Sequence, residues 1–428
     1  MFDFDRSEVK PLKNRNPEFK LSAVLACPCV MFCAGFLYLW SVFQQPVIDH
    51  YGWDVSAVTM ISSAMLSLYV VGSLIGGFVS DRKSPRFSVS FGSILGFIGL
   101  FATSLLKAEY PWMIYVTYGL LAGIGTGFSY SGALNCIQKW FPQRRGFASG
   151  VTVCAFGLSA IVLAPFIEWL IRSFGVPATF RIMAFIFPVV SFIAAQLLKP
   201  PSKAYLDSLD LPAEKAMQRQ YEPREVIKTP EFWFISVSTF FLPAAYMMII
   251  PRIKTLAAAR GISAAQASLT VSLTGAASAV SRIVGAALSD KYGRAVTLWG
   301  ISLLMLIAAV CMTFAGGWFY TVVVLLIVAG YTGPAGIFPS MCTDVFGTKH
   351  AGANFGMCLL FVGFASAFFP WLSTVINAAG AESGNYTASF MIAAGGCVIP
   401  LALLPIYEKA RKKRAASDFE EIKRNQAL

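Results

Sequence analysis

GAALSDKYGR, residues 285–294, ends one long apolar run and begins the next, and GGFVSDRKSPR, residues 76–86, stands at the same kind of junction earlier in the chain. The two aspartates, Asp81 and Asp290, are 209 positions apart (290 − 81), close to half of the 428 residues. A second pair, WFPQRRGFASG (140–150) and VFGTKHAGANFG (345–356), recurs with a similar offset. Between the halves lies the longest polar segment inside the chain, 199–230, with Pro200, Pro201, Pro212 and Pro223 and a charged stretch from Glu214 to Glu225. The chain therefore reads as a duplicated unit, an arrangement in which a ligand sits near the midplane where the repeats meet.

Working outward, predominantly apolar runs recur twelve times, at 20–46, 55–80, 87–106, 112–138, 147–171, 176–198, 231–256, 264–289, 295–315, 317–341, 353–378 and 386–407. Each is long enough to cross a hydrocarbon core of about 30 Å as a helix. Their length and lack of alternation exclude a β-barrel, whose strands need about 9–11 residues of dyad pattern. With 56% hydrophobic and 13% charged residues, the composition has too little charge to cover a soluble protein, in which about 25% is usual. The fold class expected is an all-α membrane protein of twelve transmembrane helices in two pseudo-symmetric six-helix bundles. Residues 1–198 form the first bundle, 199–230 a cytoplasmic linker, 231–407 the second bundle and 408–428 a basic cytoplasmic tail.

The net charge of +12 would suggest a polyanionic partner on a soluble chain, but its distribution gives a different reading. With the N-terminus in the cytoplasm, 27 of the 34 Lys and Arg fall in the cytoplasmic segments and 6 in the opposite loops. That is a positive-inside pattern facing anionic lipid headgroups, and nucleic acid loses its support as a partner. The polar stretch Met1 to Lys20 precedes a run too long for a signal-peptide core, so it reads as uncleaved. Val24-Leu25-Ala26-Cys27 looks like a lipoprotein box but follows Lys20 too closely. The nine cysteines fall mostly within spans and suggest neither disulfides nor a metal; His50 and His350 lie on opposite sides and cannot share a site.

The turn from span two to span three carries Asp81, Arg82 and Arg86, and the equivalent turn carries Asp290, Lys291 and Arg294. The aspartate caps a helix end, and charges that pair in one conformation and part in another bias a bistable gate. One such turn is explained by solvated charges that fix topology; two copies at equivalent positions favour gating.

This pattern resembles the major facilitator superfamily, whose G-x-x-x-D-R/K-x-G-R-K/R turn is matched well by Gly285 to Arg294 and in part by Gly77 to Arg86, where Ser84 replaces the usual glycine and Pro85 precedes Arg86. Within it the chain is similar to the oxalate/formate antiporter family, relatives of the monocarboxylate transporters. The residues that carry this are Tyr38-x-Trp40-Ser41-x-Phe43-x-x-Pro46, the run Tyr130 to Asn135 with KWFPQRRGFASG, TPEFW at 229–233, Arg282 eight residues before Asp290, and IFPSMCTDVFGTKHAGANFG at 337–356. The resemblance implies two bundles rocking around a central site, with the matching arginine on the substrate carboxylate and Tyr38, Tyr130 and Tyr331 lining the cavity.

Arg282 stands out without that resemblance. It is the only basic residue well inside a span, about 12 Å from the end marked by Asp290. A guanidinium there costs from about 2.5 to over 10 kcal/mol, so it marks a functional site by default, and its planar fork suits bidentate capture of a carboxylate. The alternative is a permanent partner acid; Glu168 is read as the carboxylate within a span, near the opposite surface, with Arg172 at i+4 as its own partner. Tyr130 is nine residues, about 13 Å, above Lys139, and Tyr331 is comparably deep, so both reach the midplane. Trp40 has packing as its alternative, and Asn135 a helix–helix contact. Gly119, Gly123 and Gly127 make a smooth stripe suited equally to sliding and to static contact. Prolines such as Pro243, Pro251, Pro334 and Pro370 can bend spans, and Tyr331 shares its span with Pro334.

The oxalate exchangers of the family carry a lysine on span eleven, and alignment on the shared N-x-G start places Val362 there. No Lys or Arg occurs between Gly352 and Glu408. A dicarboxylate would leave one charge unpaired, so the expected substrate is a small monocarboxylate of the formate, lactate or pyruvate class, with oxalate or another dicarboxylate as the alternative. No titratable acid accompanies Arg282, whose i−4 neighbour is Ser278, which tilts coupling towards exchange or towards a proton that travels with the substrate. A carboxylate sensor is the rival from another class, its basic tail at 411–428 the place for a partner. An enzyme lacks a nucleophile–base pair, metal cluster or nucleotide loop, and a channel needs several weak sites rather than one trap. The expected partners are thus the carboxylate, the lipid bilayer and, in one scheme, a proton. A monomer is the expected functional unit, with no cofactor, in a bacterial inner membrane. Asn385-Tyr386-Thr387 is a glycosylation sequon only in a secretory host.

Overall fold

Long apolar runs must satisfy their backbone groups internally when they leave water, and here they do so as helices throughout. The computed structural model describes residues 21–207, 209, 219–378 and 386–427, and no strand occurs among them. The N-terminal segment 1–20, the first part of the charged linker stretch (through 218) and Asn385 lie outside the described residues. Among the described residues, ten helices are long and apolar enough to cross a membrane. One of them, Arg145–Ala195, turns back at Gly175, whose φ of 76° and ψ of 172° are accessible at little cost only to glycine. An additional run, 115–140, consists of a π-helical stretch, Tyr115–Ala122, and the α-helix Gly123–Trp140. With the two arms of Arg145–Ala195 taken separately and 115–140 included, the long helical runs number twelve among the described residues.

We label them α1 (21–51), α2 (Val55–Arg82), α3 (Pro85–Thr103), α4 (115–140), α5 (145–174), α6 (176–195), α7 (Pro230–Ala259), α8 (Ala264–Tyr292), α9 (Arg294–Cys311), α10 (Gly317–Phe346), α11 (Ala351–Ala378) and α12 (Thr387–Ala427). Helix starts follow from local chemistry. Ser84, Thr229 and Ser263 accept hydrogen bonds from Phe87 N, Phe232 N and Gln266 N, and Pro85 and Pro230 occupy first-turn positions where no amide donor is needed. The replacement of glycine by Ser84 is explained here. Gly293 has a φ of 95°, whereas Ser84 is extended at −176° and feeds straight into Pro85, so the two repeat turns use different backbones.

Three helices are broken within their length. α1 is interrupted by a 3-10 turn, Gly35–Leu39, α7 by Leu242-Pro243 and again at Ile250–Arg252, and α10 at Gly333-Pro334. In α1 the cause is a close approach: a Cβ on Gly35 would overlap Ser159 Oγ and lie 2.5 Å from the Phe156 carbonyl of α5. The glycine stripe on α4 packs on α2, with Gly127 against Tyr69 O and Ser73 N and a Cβ on Gly123 3.0 Å from Met65 O. Gly119 has nothing nearer than 3.9 Å, so the close contact is confined to its two later members. α12 continues as helix well past the apolar run, through Ala427.

The first six helices pack mainly among themselves, as do the last six, and the groups meet where α2 runs along α11 and α5 along α8 and α10. Without a hydrophobic drive between helices in lipid, such contacts rest on close packing of small residues. Gly77 of α2 faces Gly352 of α11, and Gly150 of α5 faces Gly336 of α10.

Candidate functional site

Arg282 projects from α8 and is 5% exposed. Its Nη1 donates to the carbonyl of Val153 on α5 at 3.0 Å, its Nε is buried without a partner, and no carboxylate pairs with it among the described residues. The guanidinium lies against Gly157, whose missing side chain leaves the space it occupies. Around it the broken helices bring tyrosines from both halves. Tyr38, on the 3-10 turn of α1, has its ring 5.1 Å from Phe156; Tyr130 of α4 lies 5.4 Å and Tyr69 of α2 6.0 Å from the same ring. From the other half, Tyr246 on the broken α7 stacks at 4.2 Å on Tyr331, two residues before the break in α10. Tyr130, Tyr246 and Tyr331 all lie close enough to Arg282 to feel its charge, and all three lie within electrostatic reach of Tyr38.

The structure thus gathers Arg282, Tyr38, Tyr130 and Tyr331 in one cluster and adds Tyr69, Tyr246, Phe156 and Gly157, which the sequence reading does not single out. Tyr246 carried a signal: it follows Tyr38 by 208 positions (246 − 38), the repeat offset of the aspartates within one residue. Chemically, one fixed cation and several phenols form a donor-rich cluster suited to a carboxylate, with no acid paired to the cation among the described residues. Tyr38 is 39% exposed while Tyr130 is 4%, so the cluster has one open side.

The closed side is the one that carries the repeated turns. Asp81 accepts from the backbone amides of Gly352 and Ala353, at 3.3 and 2.8 Å, and from Asn135 Nδ2 at 2.6 Å. Asp290 accepts from Gly146 N and Phe147 N, at 3.1 and 2.7 Å, and pairs with Arg294 at 2.6 Å. Each aspartate at the end of one half's helix therefore caps the first turn of a helix in the other half, where orphan amides and the helix dipole favour an anion. Arg294 and Arg145 both bind Asp344, at 2.9 Å each, and Gln138, Ser149, Ser340 and Thr343 continue the seam.

The partners of Asp81 are these amides and Asn135, and neither Arg82 nor Arg86 bonds to it. Arg86 donates to Gln196, Arg82 is exposed, Lys83 lies over the Phe87 ring at 4.1 Å, and Lys291 lies over the Tyr292 ring at 5.1 Å. Asn135 is a helix–helix contact, bonded to Ser80 and Asp81, and Trp40 packs on Tyr118 with ring centroids 5.0 Å apart. Val362 is half-buried on α11.

Glu168 and Arg172 are both exposed, and no ion pair joins them. The buried carboxylate is instead Glu231, at the first turn of α7, whose side chain is 1% exposed and meets Arg414 Nη1 at 3.2 Å. Sequence reading passes over it because Arg414 is 183 residues away (414 − 231) and reaches it only through the extension of α12. Removing Arg414 leaves a buried anion unpaired, at a cost of about 1–3 kcal/mol. We expect Arg414→Ala to lower the melting temperature of purified protein by several degrees and Glu231→Gln in the same chain to recover most of the loss. Additive losses in the double variant would remove the pairing.

The Major Facilitator Superfamily model matches residues 25–252 and 235–427. The oxalate:formate antiporter of Oxalobacter formigenes is 26% identical over 385 residues, covering 89% of each chain, and monocarboxylate transporter 13 of Rattus norvegicus is 25% identical over 375 residues, covering 84% of this chain and 82% of its own. Among solved structures, the transporter FucP in an outward conformation superposes with a TM-score of 0.69 at 14% identity, covering 91% of this chain and 99% of that one. The proton:xylose symporter XylE gives 0.67 at 16%, covering 89% and 94%. Similarity at these identities to solved structures establishes the fold, and the family match spans both halves, each with its own aspartate turn. On that ground the chain belongs to the Major Facilitator Superfamily and is a membrane transporter, not an enzyme.

Proposed function

We propose that this transporter moves small monocarboxylates of the formate, lactate or pyruvate class by alternating access. Arg282 engages the carboxylate, and Tyr38, Tyr130 and Tyr331 donate to it or shield it. The observation that carries this reading is a guanidinium 5% exposed with an unpartnered Nε and no acid beside it, inside a ring of phenols. An anion that binds there neutralises the buried charge and lowers the cost of the occluded state. The single cation favours one carboxylate over two. Oxalate remains a second reading, favoured by the 26% identity to an oxalate:formate antiporter.

In this reading twelve helices cross the membrane, the basic face is cytoplasmic with both termini on it, and the host membrane is a bacterial inner membrane. Asp81, Arg82, Arg86, Asp290, Lys291 and Arg294 serve the cytoplasmic gate, with the two aspartates and Arg294 in the leading roles. The functional unit is one chain. Exchange is the favoured coupling, because no titratable acid lies beside Arg282; a proton carried with the substrate is the alternative.

One assay tests substrate and coupling together. Protein in liposomes is loaded with formate, lactate, pyruvate or oxalate, and labelled uptake is compared with that into empty vesicles under an inward proton gradient. We expect uptake of a monocarboxylate into loaded vesicles at least about tenfold above empty ones. Uptake of oxalate alone would overturn the substrate class, and proton-driven uptake into empty vesicles would overturn obligatory exchange.

A further inference from the structure

α5 approaches α8 along glycines that differ in what they make room for. A Cβ on Gly150 would lie 2.6 Å from the backbone carbonyl of Arg282, and one on Gly146 2.7 Å from Asp290 Oδ1; both are contacts of helix packing and of the gate. Gly157 is different. A Cβ there would overlap Arg282 Nη1 and lie 2.6 Å from Cζ, and its three nearest neighbours all belong to the guanidinium.

We propose that Gly157 is a positioning residue for substrate binding. It opens a slot on α5 in which the Arg282 guanidinium lies across the boundary between the halves, held at Nη1 by the Val153 carbonyl and presenting its remaining N–H groups to a carboxylate. The inference rests on the reading that Arg282 receives the substrate carboxylate.

Two observations carry it. First, the slot and the acceptor belong to one half and the arginine to the other, so the direction of the fork is set by α5 and not by α8. Second, α5 cannot retreat to admit a larger residue. Two residues on, Ser159 lies about 200° around the helix, on the far side from Gly157, and there Gly35 of α1 is already pressed against it and against the Phe156 carbonyl. A methyl group at 157 therefore moves the guanidinium rather than the helix. Because the fork captures a carboxylate by two parallel hydrogen bonds, a displacement of about 1 Å removes most of the gain from bidentate geometry.

The test is a titration of purified wild type, Gly157→Ala, Arg282→Lys, Gly157→Ala/Arg282→Lys and Arg282→Ala with formate, lactate and oxalate, followed by thermal shift. Uptake KM and Vmax, per folded molecule, are measured in parallel in liposomes. In Gly157→Ala we expect Kd and KM to rise at least about tenfold with Vmax within about threefold of wild type, and no added effect of the alanine once Arg282 is lysine, which has no fork to aim. A packing defect would instead lower the unliganded melting temperature and Vmax in both Arg282 backgrounds and leave Kd unmoved, which overturns the proposal. If Gly157→Ala yields too little folded protein for titration, KM in liposomes decides alone, and a KM within twofold of wild type overturns it. A ligand response that survives Arg282→Ala sinks the reading of the site. One lost in Arg282→Ala but unchanged in Gly157→Ala sinks only the positioning role.

Discussion

Arg282→Ala is expected to reduce carboxylate uptake at least about a hundredfold in liposomes while the protein stays folded. A charged hydrogen-bonding partner contributes about 1.5–3 kcal/mol, and a bidentate pair in a site screened from water lies at or above the upper end; about 2.7 kcal/mol corresponds to a factor of a hundred. Folding should survive because the arginine has no acid partner whose burial would be exposed by its loss: its one protein acceptor is the Val153 carbonyl. Deleting an unpaired buried cation removes a desolvation cost, so the melting temperature without substrate should hold or rise. Arg282→Lys keeps the charge and loses the fork, and we expect a loss nearer tenfold. Counterflow of labelled substrate is the measurement. Uptake in Arg282→Ala above about half of wild type would mean that the substrate is held elsewhere.

The second large effect is expected at the crossing of α2 and α11. Gly77→Val should destabilise the closed form of the basic face by about 2–4 kcal/mol, a shift of about 30- to 1000-fold between the open and closed forms. Gly77 abuts the carbonyl of Gly352, so added carbons force the helices apart, which costs about 1–3 kcal/mol. Separation also pulls Asp81 from the amides of Gly352 and Ala353, the loss of a helix cap worth about 0.5–2 kcal/mol. Uptake should fall more than about tenfold. Cys154, now 4% exposed beside Val153, should become reactive to a maleimide added from the basic face in a chain whose other cysteines are replaced. Unchanged labelling with lost transport would show that the glycine serves packing without setting the gate.

The sequence made some parts of this architecture legible because they are properties of single segments. Long apolar runs report helices, and the duplicated aspartate turns report two halves. Arg282 reports itself, since a guanidinium at that depth has no cheap explanation. What escaped the reading is what depends on the other half of the molecule. Asp81 has basic neighbours in its own turn, and a local reading pairs it with Arg82 and Arg86; its partners are amides some 271 residues away. Gly157 is one small residue among many on a membrane helix until Arg282 is seen lying on it. Tyr69 and Tyr246 look like any membrane tyrosine until the rings of Phe156 and Tyr331 are placed beside them. Glu231 sits at the very start of its span, where a carboxylate looks like a solvated helix-start residue, and only the extension of α12 turns it into a buried ion pair.

The manner in which Asp81 and Asp290 hold the opposite half has a consequence for how this transporter varies among relatives. Both carboxylates address main-chain amides, which every residue except proline supplies. At Phe147 the side chain is therefore released from any duty to match the aspartate, and at Gly146, Gly352 and the buried Ala353 only its size is restricted. Pairs of positions that touch through side chains leave correlated substitutions in a set of related sequences, but these contacts impose a constraint on one member alone. These two aspartate contacts should accordingly be almost silent to covariation, while the side-chain pairs of the same seam, Arg145 with Asp344 and Gln138 with Thr343, should carry the signal. A deep mutational scan would find tolerance at 147, where the side chain is exposed, beside intolerance at 81 and 290.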